Sequence, residues 1–490
     1  MEIINSKIVP VVERPVKVIQ FGEGNFLRGF VEYFIDLANE KTDFNGNVVL
    51  IKSTPRGNLD KYKDQDCLYT LQLRGLVEGK KYVETRVITC CSDAVSVYLD
   101  YDRYIALAKE PELRFVVSNT TEAGIVFSAD DEYEEKKNIT FPAKLTQFLE
   151  ARYKAFNGDP EKGLVMLPVE LIDDNGQALK KCVNQYIDLW NMDEGFKKWV
   201  NESCVFASTL VDRIVTGYPR DEIDQISANL GYNDELLNTA EPFALWVIES
   251  EKDISKEFPM DKPLADKPGM DVIFTDNQKP YKQRKVRILN GAHTSFVLAS
   301  FLMGNDTVKE SMEDDLVKQF MLDTLHKEVI PTLSLPKEEL EEFADAVVDR
   351  FNNPFIKHQL LAISLNSVSK WRARCLPSLL GYLEKYNELP THLTFSLAAL
   401  IAFYNGERIV DHVLKGHRFG QVYDIKDDSN VLEFFQANSY LESNKLVHKY
   451  LSNTDFHGQD LTEVPGLEDL VVEYLDDIKT NGVRKAMEKL

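Results

Sequence analysis

Short β-branched runs alternate with helical periodicity through the first half of this chain, and few folds accommodate that alternation. Residues 15–21 (PVKVIQF) read as a strand that ends at Gly22. From Phe26, apolar residues recur at Leu27, Phe30, Val31, Phe34, Ile35 and Ala38, one face of an α-helix. A second strand fits residues 48–52 (VVLIK), and residues 69–73 and 83–89 flank Glu78-Gly79 as a hairpin. Further buried strands fit residues 115–119, 164–169 and 243–248. Strands separated by helices are joined by parallel crossovers, so this half predicts a doubly wound α/β sheet. From Ile288 onward the spacing is helical without strand alternation, which predicts an all-α domain. The polar, proline-bearing stretch 276–281 (DNQKPY) marks the boundary, giving an α/β domain over 1–276 and a helical domain over 277–490.

Gly22-Glu23-Gly24-Asn25-Phe26-Leu27 follows the first strand and opens the first helix. The first glycine allows a tight turn, and the second lets a pyrophosphate approach the backbone. The helix N-terminus then offers free N–H groups and a partial positive charge. This is a dinucleotide loop with Leu27 at the third glycine position. The second strand ends Lys52-Ser53-Thr54-Pro55-Arg56, without the acid that holds the ribose hydroxyls of NAD. Read alone, that leaves NADP open, with Arg56 facing a 2′-phosphate or simply solvated.

Charge narrows the partners. The chain has 490 residues, 79 acidic against 57 basic side chains and a net charge of −22. Duplex nucleic acid and anionic membranes need a basic face, so neither is expected as a partner. A small anion in a locally basic pocket is not excluded. The apolar run 393–404 is too short to cross a membrane and reads as a buried core helix. The N-terminal MEIINSKIVP lacks the pattern of a signal peptide, and six cysteines are scattered without CxxC spacing. Reduced thiols in a cytoplasm and no metal site are the expectation.

Two stretches depart from the acidic average. Residues 277–305 contain no acid but hold Lys279, Lys282, Arg284, Lys285 and Arg287. Residues 350–383 are also acid-free and hold Arg350, Lys357, Lys370, Arg372 and Arg374. All eight histidines lie at or after His293, in the sequence Lys285-Val-Arg-Ile-Leu-Asn290-Gly-Ala-His293. On a continuous α-helix Lys285, His293 and Asn290 fall at roughly 0°, 80° and 140°. If a helix instead begins at Asn290, that residue caps it and His293 occupies the first turn. Either geometry can bring the three side chains together.

With these residues in place, the chain resembles a known family. A GxGxFxR loop (Gly22, Gly24, Phe26, Arg28) followed by K-x4-N-x2-H (Lys285, Asn290, His293) is similar to the polyol-specific long-chain dehydrogenases, the mannitol dehydrogenase family. The segments IQFGEGNFLRGF, RFVVSNTTEAGI, STLVDRIVTGYPRDE, KPYKQRKVRILNGAHT, NPFIKHQLLAISLNS and LTFSLAALIAFYNGER extend the resemblance over nearly the whole chain, towards members acting on sugar acids. It implies a Rossmann-like N-terminal domain plus a helical one, with the active site in the cleft between them. The implied reaction is a zinc-independent hydride transfer between NAD(H) and a small anionic sugar acid, interconverting D-tagaturonate and D-altronate in hexuronate breakdown.

Carried over by residue, the resemblance makes Lys285 the general acid/base. Asn290 and His293 become hydrogen-bond donors to the reacting oxygen. A lysine base needs desolvation or nearby cations, and Arg284 and Arg287 are adjacent in sequence. Gly22, Gly24, Asn25, Phe26, Arg28 and Asn119 are the cofactor-binding candidates, with Asn119 towards the nicotinamide. Mannitol-type members carry a further asparagine where this chain has Leu171, which leaves Glu170 as a substrate-binding candidate. The carboxylate needs a partner that polyol enzymes lack; the second basic stretch offers Lys357, His358, Lys370 and Arg372, of which the resemblance makes Lys370 a substrate contact and the planar fork favours Arg372. Asp212 and Arg213 read as ordering the domain junction. The alternatives are a sister oxidoreductase on fructuronate/mannonate or a polyol such as mannitol, and a nucleotide sensor that kept the fold. The chain is expected as a monomer or a small homo-oligomer.

Overall fold

In the computed structural model, residues 1–137 and 139–490 are described. They divide into two compact units, Met1–Gln278 and Lys279–Leu490. The first is built on six parallel strands: β1 (Val16–Phe21), β2 (Asn47–Lys52), β3 (Cys91–Ser96), β4 (Phe115–Ser118), β5 (Val165–Pro168) and β6 (Val205–Phe206). They lie in the order β3-β2-β1-β4-β5-β6. The chain leaves β1 in one direction across the sheet and returns on the other side at β4. That reversal sets the loops after β1 and β4 side by side at the carboxyl edge.

Both faces of the sheet are covered, which is why β2 is buried at all six positions. Successive residues point to opposite faces. Ile19, Phe21, Val49 and Ile51 enter one core, and Val18, Val48 and Leu50 enter the other.

Three expectations change in this unit. The predicted strand at 243–248 forms as Ala244–Glu249, but outside the parallel sheet. It pairs antiparallel with Ser208–Asp212 and parallel with Met270–Thr275. The hairpin Tyr69–Val77/Lys80–Ile88 forms around Glu78-Gly79, both at positive φ as a two-residue turn requires, but as part of a four-stranded sheet. The helix after the glycine loop is interrupted, running Asn25–Arg28 and then Val31–Lys41. The cause is tertiary: the Gly29 carbonyl accepts a 2.8 Å hydrogen bond from Arg213 Nη1. Arg213 also donates to the Phe243 and Pro242 carbonyls, so it orders the interior of this unit.

The second unit is helical, with one addition that the sequence reading missed. Ile409–Val410, Val413–Arg418 and Gln421–Ile425 form a small antiparallel meander. Its two turns use Asp411-His412 and Phe419-Gly420, all at positive φ. The turns lack the Asn-Gly or Asp-Gly pairs that would have flagged them. The apolar run near residue 400 is the helix Thr391–Phe403, buried along nearly its whole length. Among the described residues no helix is long and apolar enough to cross a membrane. All six cysteines are buried free thiols.

Candidate active site

In the first unit the site begins where β1 ends. Gly22 has φ +121, and a Cβ there would lie 3.1 Å from the Asn119 carbonyl oxygen. The turn therefore presses directly against the loop after β4, and only glycine fits without displacing it. The Gly22 N–H donates to Ile51 of β2, and the Asn119 N–H donates to Phe21. Gly24 differs: it is exposed, and a Cβ there would meet nothing within 4 Å. Open space above a backbone that any residue could adopt is what a pyrophosphate cradle requires.

The other loop residues shape this cradle from beneath. Arg28 is buried, stacks 5.2 Å from the Tyr69 ring, donates to Asn25 Oδ1 at 2.6 Å and also donates to the Leu236 carbonyl. Asn238 Nδ2 holds the Asn25 carbonyl at 2.8 Å. Phe26 stacks on Phe30 with ring centroids 5.1 Å apart. Of the predicted cofactor residues, Gly22, Gly24 and Asn119 come together around the open side. Asn25, Phe26 and Arg28 hold the loop's form. At the end of β2, Lys52 pairs with Glu23 of the loop at 2.9 Å, which ties the strand end to the loop. Arg56 is exposed.

Glu170, read as a substrate contact, occupies a different place. It is 2% exposed and accepts from Ser118 Oγ (3.0 Å), Thr120 N–H (2.9 Å) and Thr120 Oγ1 (2.9 Å). Burial pushes its carboxyl pKa up against the pull of these donors. Its contacts bracket Asn119, so its work is to fix the turn after β4. Leu171 is 65% exposed.

In the second unit, Lys285, Asn290 and His293 lie on one uninterrupted run of helix, but its form matches neither predicted alternative. Lys279–Arg284 is α-helical, Lys285–Asn290 is a π-helix, and Gly291–Met303 is α-helical again. The i→i+5 bonding of the middle segment widens the turn and sets Lys285 and Asn290 one π turn apart. π segments recur at functional sites because they re-aim side chains without breaking the helix. Lys285 and Asn290 are half-buried. Their neighbours Arg284 and Arg287 are committed to packing: Arg284 lies over the Tyr281 and Phe343 rings, and Arg287 donates to Ser378 Oγ and Thr332 Oγ1.

His293 is enclosed by the second acid-free stretch. Its ring stacks on Phe351 with centroids 4.1 Å apart and meets His358 edge-on at 5.3 Å. Its Nε2 is buried with no hydrogen-bond partner among the described residues. Burial pushes its pKa well below 6.5, and the nearby charges of His358, Arg350, Arg374 and Lys370 push the same way. The imidazole is therefore neutral across the ordinary pH range, with one ring N–H to donate.

Lys370 and Arg374 sit four residues apart on the helix Ser367–Arg374 and so share a face. Lys370 Nζ donates to the Ile363 carbonyl at 2.9 Å, and Arg374 Nη1 to Thr294 Oγ1 at 3.3 Å. Arg372, two residues on from Lys370, points elsewhere. It is exposed, lies against Gly458 and reaches the Asp455 carbonyl at 3.4 Å. The structure thus gathers Lys370 near His293 and leaves Arg372 out. Arg350, Phe351 and Arg374 join the cluster although the sequence reading gave them no role. The i, i+4 spacing from Lys370 was the available signal for Arg374.

Comparison with known proteins fits both halves. The mannitol dehydrogenase Rossmann domain matches residues 16–262, and the mannitol dehydrogenase C-terminal domain matches residues 277–479. The chain belongs to the mannitol dehydrogenase family. Among curated members of that family, it is 45% identical over 498 residues to the altronate oxidoreductase of Escherichia coli O7:K1, covering 100% of both chains. It is 44% identical over 494 residues to that of Yersinia enterocolitica, covering 99% of each. Among solved structures, substrate-free D-sorbitol dehydrogenase superposes with a TM-score of 0.81 at 20% identity, over 99% of this chain and 100% of that one. A Pseudomonas fluorescens mannitol 2-dehydrogenase ternary complex with NAD and D-mannitol gives 0.65 at 21% identity, over 100% and 99%. At such identities the structures establish a shared fold.

Proposed function

We propose that this protein is a cytoplasmic, NAD-dependent oxidoreductase that interconverts D-tagaturonate and D-altronate in hexuronate breakdown. One observation carries the reading: the proton-handling trio Lys285, Asn290 and His293 lies on one helical run beside the cations of an acid-free stretch, in a chain of net charge −22. A polyol needs no such local reversal of charge; a sugar acid does. The end-to-end similarity to altronate oxidoreductases supports the same substrate. Six reduced thiols suit a cytoplasmic setting.

The open backbone at Gly24 and the tight turn at Gly22 fit a dinucleotide pyrophosphate, with Asn119 beside it. Bound there, NAD(H) supplies or accepts the hydride. Lys285 gives its ammonium proton to the carbonyl oxygen during reduction and takes the hydroxyl proton during oxidation. Asn290 Nδ2 and the neutral His293, through Nε2–H, donate to that same oxygen as negative charge builds on it. Their preorganisation on a rigid helix stabilises the alkoxide-like state without rearrangement.

Steady-state NADH oxidation tests the assignment with tagaturonate, fructuronate and fructose as substrates. The highest kcat/KM is expected for tagaturonate, and a higher value for either other substrate overturns the substrate assignment. Lys285→Ala should lower kcat by about 10²- to 10⁴-fold near neutral pH. An unchanged rate removes Lys285 as the acid/base.

A further inference from the structure

A sugar acid differs from a polyol at one end of the molecule, and the chain must supply a cation there. Among the charges around His293, Arg374 has the placement for it. Its Nη1 donates to Thr294 Oγ1 at 3.3 Å, and Thr294 Oγ1 in turn donates to the Asn290 carbonyl at 2.9 Å. The guanidinium therefore stands two hydrogen bonds from Asn290, along the helix that carries His293. Its backbone is held close as well: a Cβ on Gly291 would lie 3.3 Å from the Arg374 carbonyl, and Cys375 Sγ contacts the Gly291 carbonyl at 3.7 Å.

Arg374 is half-buried and has no acidic side chain within ion-pair distance among the described residues. Buried guanidinium groups are normally paired. Lys370 shares its helix face, but its Nζ is engaged by the Ile363 carbonyl. Arg372 lies on a different face, against Gly458. We propose that Arg374 receives the substrate's carboxylate and is the residue that selects sugar acids over neutral ketoses. With Nη1 anchored on Thr294, the remaining N–H groups present an edge of the planar fork to two carboxylate oxygens. This inference rests on the sugar-acid reading above.

The test compares wild type, Arg374→Gln, Arg374→Lys and Arg372→Gln on tagaturonate and on D-tagatose, the same ketose with a hydroxymethyl group in place of the carboxylate. Arg374→Gln should lower kcat/KM for tagaturonate by about 30-fold or more while changing that for tagatose by less than about 3-fold. Retained tagatose turnover also reports that the variant is folded. Arg374→Lys should recover only part of the loss, because an ammonium lacks the fork. If tagatose turnover is too slow to measure, the same ratio is read from inhibition by altronate and by altritol. An acid-to-neutral ratio unchanged in Arg374→Gln, or one that collapses in Arg372→Gln instead, overturns the inference. A wild type inactive on every sugar acid overturns the functional reading itself, before any variant is compared.

Discussion

His293 shows how burial sets a residue's chemistry. Enclosed by Phe351 and His358 with cations nearby, its imidazole stays uncharged, and a neutral ring whose Nε2 has no partner among the described residues is able to donate without titrating. His293→Ala should therefore lower kcat/KM by about 10²- to 10³-fold, the usual cost of a lost oxyanion donor. His293→Gln, which keeps a donor, should lose less. Both variants should keep the wild-type pH profile, measured as kcat/KM from pH 6 to 9; a lost or displaced ionisation would show that His293 titrates in the working range. Residue types and spacing singled out Lys285, Asn290 and His293 as candidates, and the structure sets all three on one helical run. Residue types did not distinguish Arg372 from Arg374, since composition counts cations while a helix face orients them. Nor did they reveal that Glu170 is spent on Ser118 and Thr120.

At the scale of elements, the two glycines of the phosphate loop separate folding from binding. Gly24→Ala meets no neighbour and needs no unusual φ, so stability should change by less than about 0.5 kcal/mol. Its methyl group nevertheless occupies the face offered to the pyrophosphate, and NADH affinity, read by fluorescence titration, should fall at least about tenfold. Gly22→Ala demands φ +121 of a side-chain-bearing residue and presses on Asn119, so both melting temperature and NADH affinity should drop. Equal NADH affinity in Gly24→Ala and wild type would mean that the dinucleotide does not cross this loop. The π segment Lys285–Asn290 is the element that periodicity could not foresee. A helical wheel assumes α geometry, whereas this turn is wider, with Ile288 and Leu289 buried within it.

For the molecule as a whole, buried histidines and buried carboxyls with raised pKa values respond to acid in opposite ways. In the second unit, burial lowers the pKa of His293, of His358 and of His457, the last to about 4. A histidine with a depressed native pKa stabilises the fold above its unfolded value near 6.5 and loses that contribution as pH falls towards the native value. At pH 5 the cost for His457 is about 2 kcal/mol. Asp427, raised by burial, offsets part of this. In the first unit, Glu170 and Asp234 are raised by burial. Their contribution is present at low pH and lost as pH rises. Hydrogen exchange measured at pH 7 and pH 5, corrected for intrinsic rates, should show the second unit opening first on acidification. Earlier opening of the first unit would refute this account.

Two facts were legible in the sequence alone: the alternation that dictates a doubly wound sheet, and the local reversals of charge in an acidic chain. Both are properties of neighbouring residues, and period and composition record them directly. The break at Gly29, the separate sheet holding Ala244–Glu249, the meander at 409–425 and the different placements of Arg374 and Arg372 came only with the tertiary structure. Each depends on a contact between residues far apart in the chain. Arg213 reaches Gly29 across 184 positions, and Arg374 reaches Thr294 across 80. No local pattern encodes which distant carbonyl a guanidinium will find; packing decides it, because a buried donor must be satisfied by whatever acceptor the fold brings near.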